Sequence, residues 1–129
     1  MLASSPVTTV LIVQDATRSA AFYRDQLGLP HQGRTPDGQE IFTAGGGSAV
    51  ALMSDPNAEP SGRTELSFEV SNLDGEISDL EGRGVTFEDY DLPGLKTENH
   101  IATMGSEKAA WFKDPDGNVL CLHQMVAAG

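Results

Sequence analysis

The chain has 129 residues, 39% of them hydrophobic, and carries 19 acidic against 8 basic side chains for a net charge of −11. That length and apolar content suit one ordinary domain with its own core and exclude a disordered chain. The acidic balance argues against nucleic acid as a partner, because nucleic-acid binders need a basic face to displace counterions. Apolar runs extend for a few residues at most, too short for a membrane helix. Met1 to Pro6 has neither the basic residues nor the long apolar segment of a secretory leader. Cys121, the single cysteine, cannot close an internal disulfide, so a cytoplasmic location is expected.

In chain order, Thr8 to Val13 reads as an apolar-rich strand. Asp15 and Thr17 form a polar helix entry, and a helix is expected through Ala20, Ala21, Phe22 and Tyr23 to a stop at Gly28. A further strand should follow at once, then a hairpin of Glu40–Thr43 with Ser48–Met53 across Ala44-Gly45-Gly46-Gly47. Those glycines lack the following Lys-Ser/Thr and the strand-to-helix setting of a phosphate loop, so they serve the turn. Asp55 to Gly62, rich in Pro, Asn and Ser, has the composition of a linker.

The second half repeats the pattern without repeating the residues. Glu65 to Val70 reads as a strand, and Asn72 caps a helix whose stripe is Leu73, Ile77 and Leu80. Gly84 stands where a left-handed helix end wants glycine. Another strand should follow, then a hairpin of Ala109–Lys113 with Val119–His123 across Asp114-Pro115-Asp116-Gly117. The expected fold class is therefore α+β, two tandem β-α-β-β-β modules forming cupped mixed sheets with helices on the outer face. Module 1 covers about residues 6–55, the linker about 55–63 and module 2 about 64–126, within a single domain spanning 1–129.

Strand alternation assigns the faces. Val50 and Leu52, Leu66, Phe68 and Val70, and Leu120 and Leu122 form apolar sets at a spacing of two, which the helices should cover. The opposite face then carries Thr8, Val10, Ile12, Ala49, Ala51, Met53, Glu65, Ser67, Glu69, Cys121 and His123. That set is small, mixed and partly polar. A sheet curved around it would enclose a cavity suited to a ligand.

Phe22-Tyr23-Arg24-Asp25-Gln26-Leu27-Gly28-Leu29 after the first strand, and Trp111-Phe112-Lys113-Asp114-Pro115-Asp116-Gly117-Asn118-Val119-Leu120 near the end, resemble the vicinal oxygen chelate superfamily. That superfamily includes glyoxalase I, bleomycin-resistance proteins, fosfomycin-resistance enzymes and extradiol dioxygenases. The resemblance covers essentially the whole chain and implies paired modules, a small-molecule ligand and a homodimer with two cavities. Metal-dependent members carry ligands at four strand positions, which Thr8, Ala51, Glu65 and Cys121 occupy here. Alanine cannot bind a metal and threonine seldom does. A carboxylate with a thiolate is a mismatched pair for magnesium, manganese, nickel or iron(II). No metal or other cofactor is expected; a divalent ion, if bound, would have Glu65, Cys121 and His123 as its ligands.

Glu65 could anchor a cationic substrate, act as a base or survive as a lone ligand; the plainer role is an ion pair with Arg63. Glu69 faces the same way at the rim. Cys121 is either a small buried hydrophobe or a thiol activated by His123 two residues on. Trp111 offers a stacking surface or a core ring, and Met53 lies on the ligand-facing set. His31 reads as an exposed loop histidine beside Pro30. His100, with Ile101 and Met104, belongs to the long segment Tyr90 to Lys108, which is either an exposed loop or a lid.

The ligand-binding set is thus Glu65, Cys121, His123, Trp111, Met53 and His100, with Glu65 as the candidate catalytic group. The missing metal donors and the acidic charge favour metal-free capture of an organic ligand, cationic or aromatic, as in the bleomycin-resistance branch. The alternatives are a metal-dependent lyase, isomerase or dioxygenase of glyoxalase type with an atypical ligand set, or a metal-free enzyme using Glu65 as general base.

Overall fold

A computed structural model, describing residues 1–126, arranges the strands as two four-stranded sheets and one short ribbon. Each large sheet is drawn from one half of the chain, which divides into two units after Glu59.

In the first unit the strand order is β1-β4-β3-β2, with β1 Thr8–Val13, β2 His31–Arg34, β3 Glu40–Thr43 and β4 Ala49–Ser54. β4 runs parallel to β1 and antiparallel to β3, which completes the expected hairpin over the triple-glycine turn. Helix α1, Ala16–Ala21, starts where the Asp15 side chain accepts the Arg18 N–H at 3.2 Å. It packs on β3 and β4, burying Ala16 and Ala20, and Tyr23 beyond its end packs on Phe42 with ring centroids 6.0 Å apart. Regular α geometry stops earlier than the sequence suggests. From Phe22 to Gln26 the helix widens into a π turn, closed by Leu27 N–H on the Phe22 carbonyl at 3.1 Å. Gly28, at φ 74°, then ends it in the left-handed region.

One carboxylate lies in this core. Alternation along β3 puts Glu40 on the same side as Phe42, and Glu40 is only 2% exposed. Its Oε2 lies 2.8 Å from His31 Nε2, and its Oε1 accepts Arg34 Nε at 2.9 Å. Arg34 Nη2 reaches on to Thr17 Oγ1 at 3.0 Å, tying edge strand β2 to α1. Burial pushes the Glu40 carboxyl up, but the hydrogen bonds from His31 and Arg34 outweigh it and hold it below its ordinary value. His31 is thus no loop residue: it belongs to β2 and stacks on Phe42 with ring centroids 4.8 Å apart.

In the second unit the order is β5-β10-β9-β8, with β5 Thr64–Glu69, β8 Ala102–Met104, β9 Glu107–Lys113 and β10 Val119–Met125. β10 runs parallel to β5 and antiparallel to β9. Helix α2, Leu73–Gly82, is capped by Asn72, whose side chain accepts the Gly75 N–H at 3.1 Å. Leu73, Ile77 and Leu80 are its buried stripe, and it packs on β9 and β10. The Asp-Pro-Asp-Gly turn is fastened by buried Asp114. Its carboxylate accepts the N–H of Asp116 and of Asn118 at 2.9 Å each, and Asn118 Nδ2 at 3.0 Å.

The strand expected directly after α2 is broken in two. Phe87 makes a single bridge to Phe112, and Glu88 N–H donates to the Trp111 carbonyl at 2.8 Å. Pairing with β9 resumes only at Ala102, opposite Ala109. Residues 89–101 therefore leave the sheet opposite the single residue Ala110. This excursion is itself folded. It holds the ribbon β6 Asp91–Leu92 with β7 Leu95–Lys96, and then a second turn between Glu98 and Ile101, which exchange backbone bonds of 2.8 and 3.0 Å. Asn99 and His100 sit at φ 51° and 71°, the double positive φ of a type I′ turn.

Candidate functional site

The face of the second sheet that carries Cys121 and His123 is organised in rows. Ser67, Cys121 and Trp111 stand side by side on β5, β10 and β9, and Glu69, His123 and Ala109 form the next row. Directly paired residues share a face, so this register brings together three residues singled out from the sequence. Tyr90 adds a fourth group, edge-on to Trp111 with centroids 5.6 Å apart and planes at 86°. Burial, then the charges of Glu88 and Cys121, push the Tyr90 phenol up.

Cys121 is 6% exposed, with its Sγ 3.4 Å from the Leu122 carbonyl. Burial raises its thiol and Glu107 adds to the rise, outweighing the contrary pull of the Ser67 hydroxyl and the Ala110 backbone. A thiol held protonated in this way is neither a good nucleophile nor a metal ligand. His123 is better placed. Its Nδ1 lies 2.5 Å from Ser67 Oγ, and its Nε2 lies 3.7 Å from Glu69 Oε1.

Glu65 occupies an irregularity in β5. Thr64 faces Val119 and Leu66 faces Leu120, so Glu65 is the extra residue of a bulge. Its exposed carboxylate takes a hydrogen bond from Ser61 Oγ at 2.5 Å, where the sequence suggested Arg63. Met53 lies at the end of β4 in the first unit, opposite Ile12.

His100 is placed apart from Cys121 and His123. Its Nδ1 is 2.9 Å from Asp89 and its Nε2 is 3.4 Å from Glu81 on α2, with its ring 6.0 Å from Phe87. Ile101 lines a separate recess of about 380 Å³ with Lys96, Thr103 and Lys108. The excursion thus attaches to the helix end through His100, while its Tyr90 packs on Trp111.

The four positions that the resemblance would equate with metal ligands, Thr8, Ala51, Glu65 and Cys121, fit an ion poorly. Thr8 and Ala51 pair with Ala49 and Val10, which add no donor atom. Glu65 has a carboxylate, but Cys121 is a buried, protonated thiol. Among the described residues, no three His, Cys, Asp or Glu side chains are grouped so that they could hold a metal ion.

The family model described as Glyoxalase/Bleomycin resistance protein/Dioxygenase superfamily matches residues 5–122. The chain belongs to this superfamily. Among curated proteins, it is 29% identical over 124 residues to the uncharacterized protein YraH of Bacillus subtilis (strain 168), covering 90% of this chain and 94% of YraH. A superfamily member from Sphaerobacter thermophilus DSM 20745 superposes with a TM-score of 0.73 at 25% identity, covering 96% of this chain and 99% of the other. TnmS3, an antibiotic binding protein from Streptomyces sp. CB03234, does so with a TM-score of 0.69 at 23% identity, covering 97% and 99%. The α+β architecture of paired mixed sheets is that of glyoxalase-fold proteins.

Two contacts of this arrangement escape a linear reading, and so does one buried carboxylate of the first unit. Ser67 meets His123 through a parallel pairing across 56 positions of sequence. Tyr90 reaches Trp111 only because the strand after α2 breaks. Glu40 carried a legible signal, since it alternates with Phe42, but a charge is an unexpected core residue.

Proposed function

We propose that this superfamily member captures a small organic molecule, cationic or aromatic, without a metal, on the Ser67–Cys121–Trp111 face of the second sheet. What supports this reading most is the donor set: at the positions the resemblance equates with metal ligands, the chain offers Thr8, Ala51, Glu65 and a buried Cys121. The Tyr90–Trp111 corner supports it, because two edge-packed rings leave a π face for a flat group. Glu65, Glu69 and the net charge of −11 favour a cation beside it. The fold shared with the antibiotic binding protein TnmS3 agrees with capture as a function.

The remaining parts of the reading follow from the same family. The two units act as modules of one domain, and a second copy of the chain covers the exposed apolar row of Val10, Ile12 and Met53. Cys121, a free buried thiol, suits a reducing cytoplasm.

The test is a thermal-shift screen of cationic and aromatic compounds, glycopeptide antibiotics included. A captured ligand at 100 times its Kd stabilises the folded state by about 2.7 kcal/mol, and Trp111→Ala should remove the shift. Elemental analysis of protein purified without chelator is the counter-test. Stoichiometric nickel, zinc, manganese or iron that disappears in Glu65→Ala would overturn metal-free capture.

A further inference from the structure

We propose that Ser67 is the nucleophile of an acyl-transfer site on the second sheet, with His123 as its base and Glu69 as the residue that positions the imidazole. The substrate class is an aryl or arylacyl ester. It rests on the capture reading for its aryl seat, because the Tyr90–Trp111 corner is the same in both.

The geometry is that of a hydroxyl, an imidazole and a carboxylate in sequence. Ser67 Oγ lies 2.5 Å from His123 Nδ1, within reach for direct proton transfer. Glu69 Oε1 lies 3.7 Å from the other ring nitrogen. With the nitrogen roles exchanged, the order of groups is that of a serine-histidine-acid triad, with Glu69 at ion-pair rather than hydrogen-bond distance from the ring. β5 and β10 hold it from both sides, since His123 pairs directly with Glu69 and Cys121 with Ser67. Glu69 is 73% exposed, so its contribution is orientation more than field strength.

The two nucleophile candidates in this row are told apart by accessibility. Cys121 is the more reactive element, but it is buried and kept protonated. Ser67 is exposed and already hydrogen-bonded to a base. The backbone adds a donor. Val70 N–H donates to the His123 carbonyl at 2.8 Å, so the alternation of a parallel ladder turns the Ser67 N–H away from β10. β5 is the edge strand of its sheet, and that N–H is therefore presented to an oxyanion growing beside Oγ.

Trp111 stands two strands from Ser67 in the same row, a span of about 10 Å at ordinary strand spacing. The Tyr90–Trp111 corner thus seats an aryl group while an ester carbonyl lies over Ser67. In the first step the Oγ–carbonyl carbon bond forms, the Ser67 proton passes to His123 Nδ1, and the alcohol or phenol leaves with the electron pair and takes that proton. In the second step water attacks the Ser67 ester, gives its proton to His123 and releases the acid, restoring the hydroxyl.

A fluorophosphonate probe tests this on the intact protein, with the labelled residue mapped by mass spectrometry. The probe is expected to modify Ser67 with loss of fluoride, and Ser67→Ala should remain unlabelled. His123→Gln should slow labelling by about 100-fold or more, the scale of a lost general base. With p-nitrophenyl phenylacetate as substrate, Glu69→Gln should lower kcat several-fold and leave KM unchanged. An unlabelled protein, a label on any other residue, or a His123→Gln variant labelled at the wild-type rate would each refute the site. Mapping on the wild-type chain needs no variant to fold, and thermal melts check those that are used. Ligand-induced thermal shifts are read separately, so failure here leaves the capture reading untouched.

Discussion

Glu40 should stabilise the first unit through its charge, and the size of that effect can be worked from its contacts. Glu40→Ala removes the acceptor of three N–H groups: His31 Nε2, Arg34 Nε and Arg34 Nη2. A hydrogen bond to a charged group contributes about 1.5–3 kcal/mol when both partners stay dry. Here the donors are less protected, since the His31 and Arg34 side chains are 28% and 55% exposed and can rehydrate once released. Discounting for that water leaves about 2 kcal/mol.

At a urea slope of about 1–2 kcal/mol/M, Glu40→Ala should lower the midpoint by about 1–2 M. Far-UV circular dichroism is the appropriate probe, because Trp111 reports on the other unit. Glu40→Met should cost less than alanine, as apolar replacement of a buried charge often does. The Glu40 carboxyl titrates below its ordinary value when folded. Its contribution is therefore complete above the ordinary carboxylate range and is lost as the pH falls through the lowered value. The gap between wild type and Glu40→Gln should close on acidification. A gap that is absent at neutral pH, or that persists in acid, would refute the assignment to charge.

Four further outcomes are expected. Asp114→Ala strands three donors in the β9–β10 turn and should destabilise by about 3 kcal/mol, followed by Trp111 fluorescence; a loss under 1 kcal/mol would show that the turn holds without its carboxylate. Cys121 should react with a disulfide reagent far more slowly in native protein than in urea, because burial raises its thiol; rapid native reaction at neutral pH would contradict that. His100→Gly relieves a positive φ worth about 1 kcal/mol while giving up partly exposed pairs to Asp89 and Glu81. The net change should stay within about 0.5 kcal/mol, and a loss above 1.5 kcal/mol would make His100 a structural anchor. Ile12→Glu should halve the sedimentation mass if the Val10, Ile12 and Met53 row meets a second copy; a monomeric wild type would dismiss that association.

The elements most legible in the chain are those whose signals are local. Asp15 and Asn72 cap helices where a polar entry precedes an apolar stripe. Leu66 and Phe68 pair with Leu120 and Leu122 as their common spacing implies. The candidate site was legible only in part. Alternation alone puts Ser67, Glu69, Cys121 and His123 on one face. It does not show which of them meet, nor that Trp111 joins them, because the register among β5, β10 and β9 is a long-range property. The break after Glu88 was hidden for a similar reason: Phe87 and Ala102 are each ordinary strand residues, and only the sheet reveals that they continue one another. His31 misled by its neighbour Pro30, although the glutamate nine positions on was its partner.

The bulge at Glu65 has a consequence for how this strand can change over time. A residue that has no partner opposite it can be deleted without turning Leu66 or Phe68 to the other face of the sheet, since their pairing starts afterwards. Shortening the chain by that one position would erase the carboxylate from β5 while leaving the apolar side of the strand where it stands. Loss and regain of an acidic group here is therefore open to insertion and deletion as well as to substitution, a freedom that the paired positions Ser67 and Glu69 do not share.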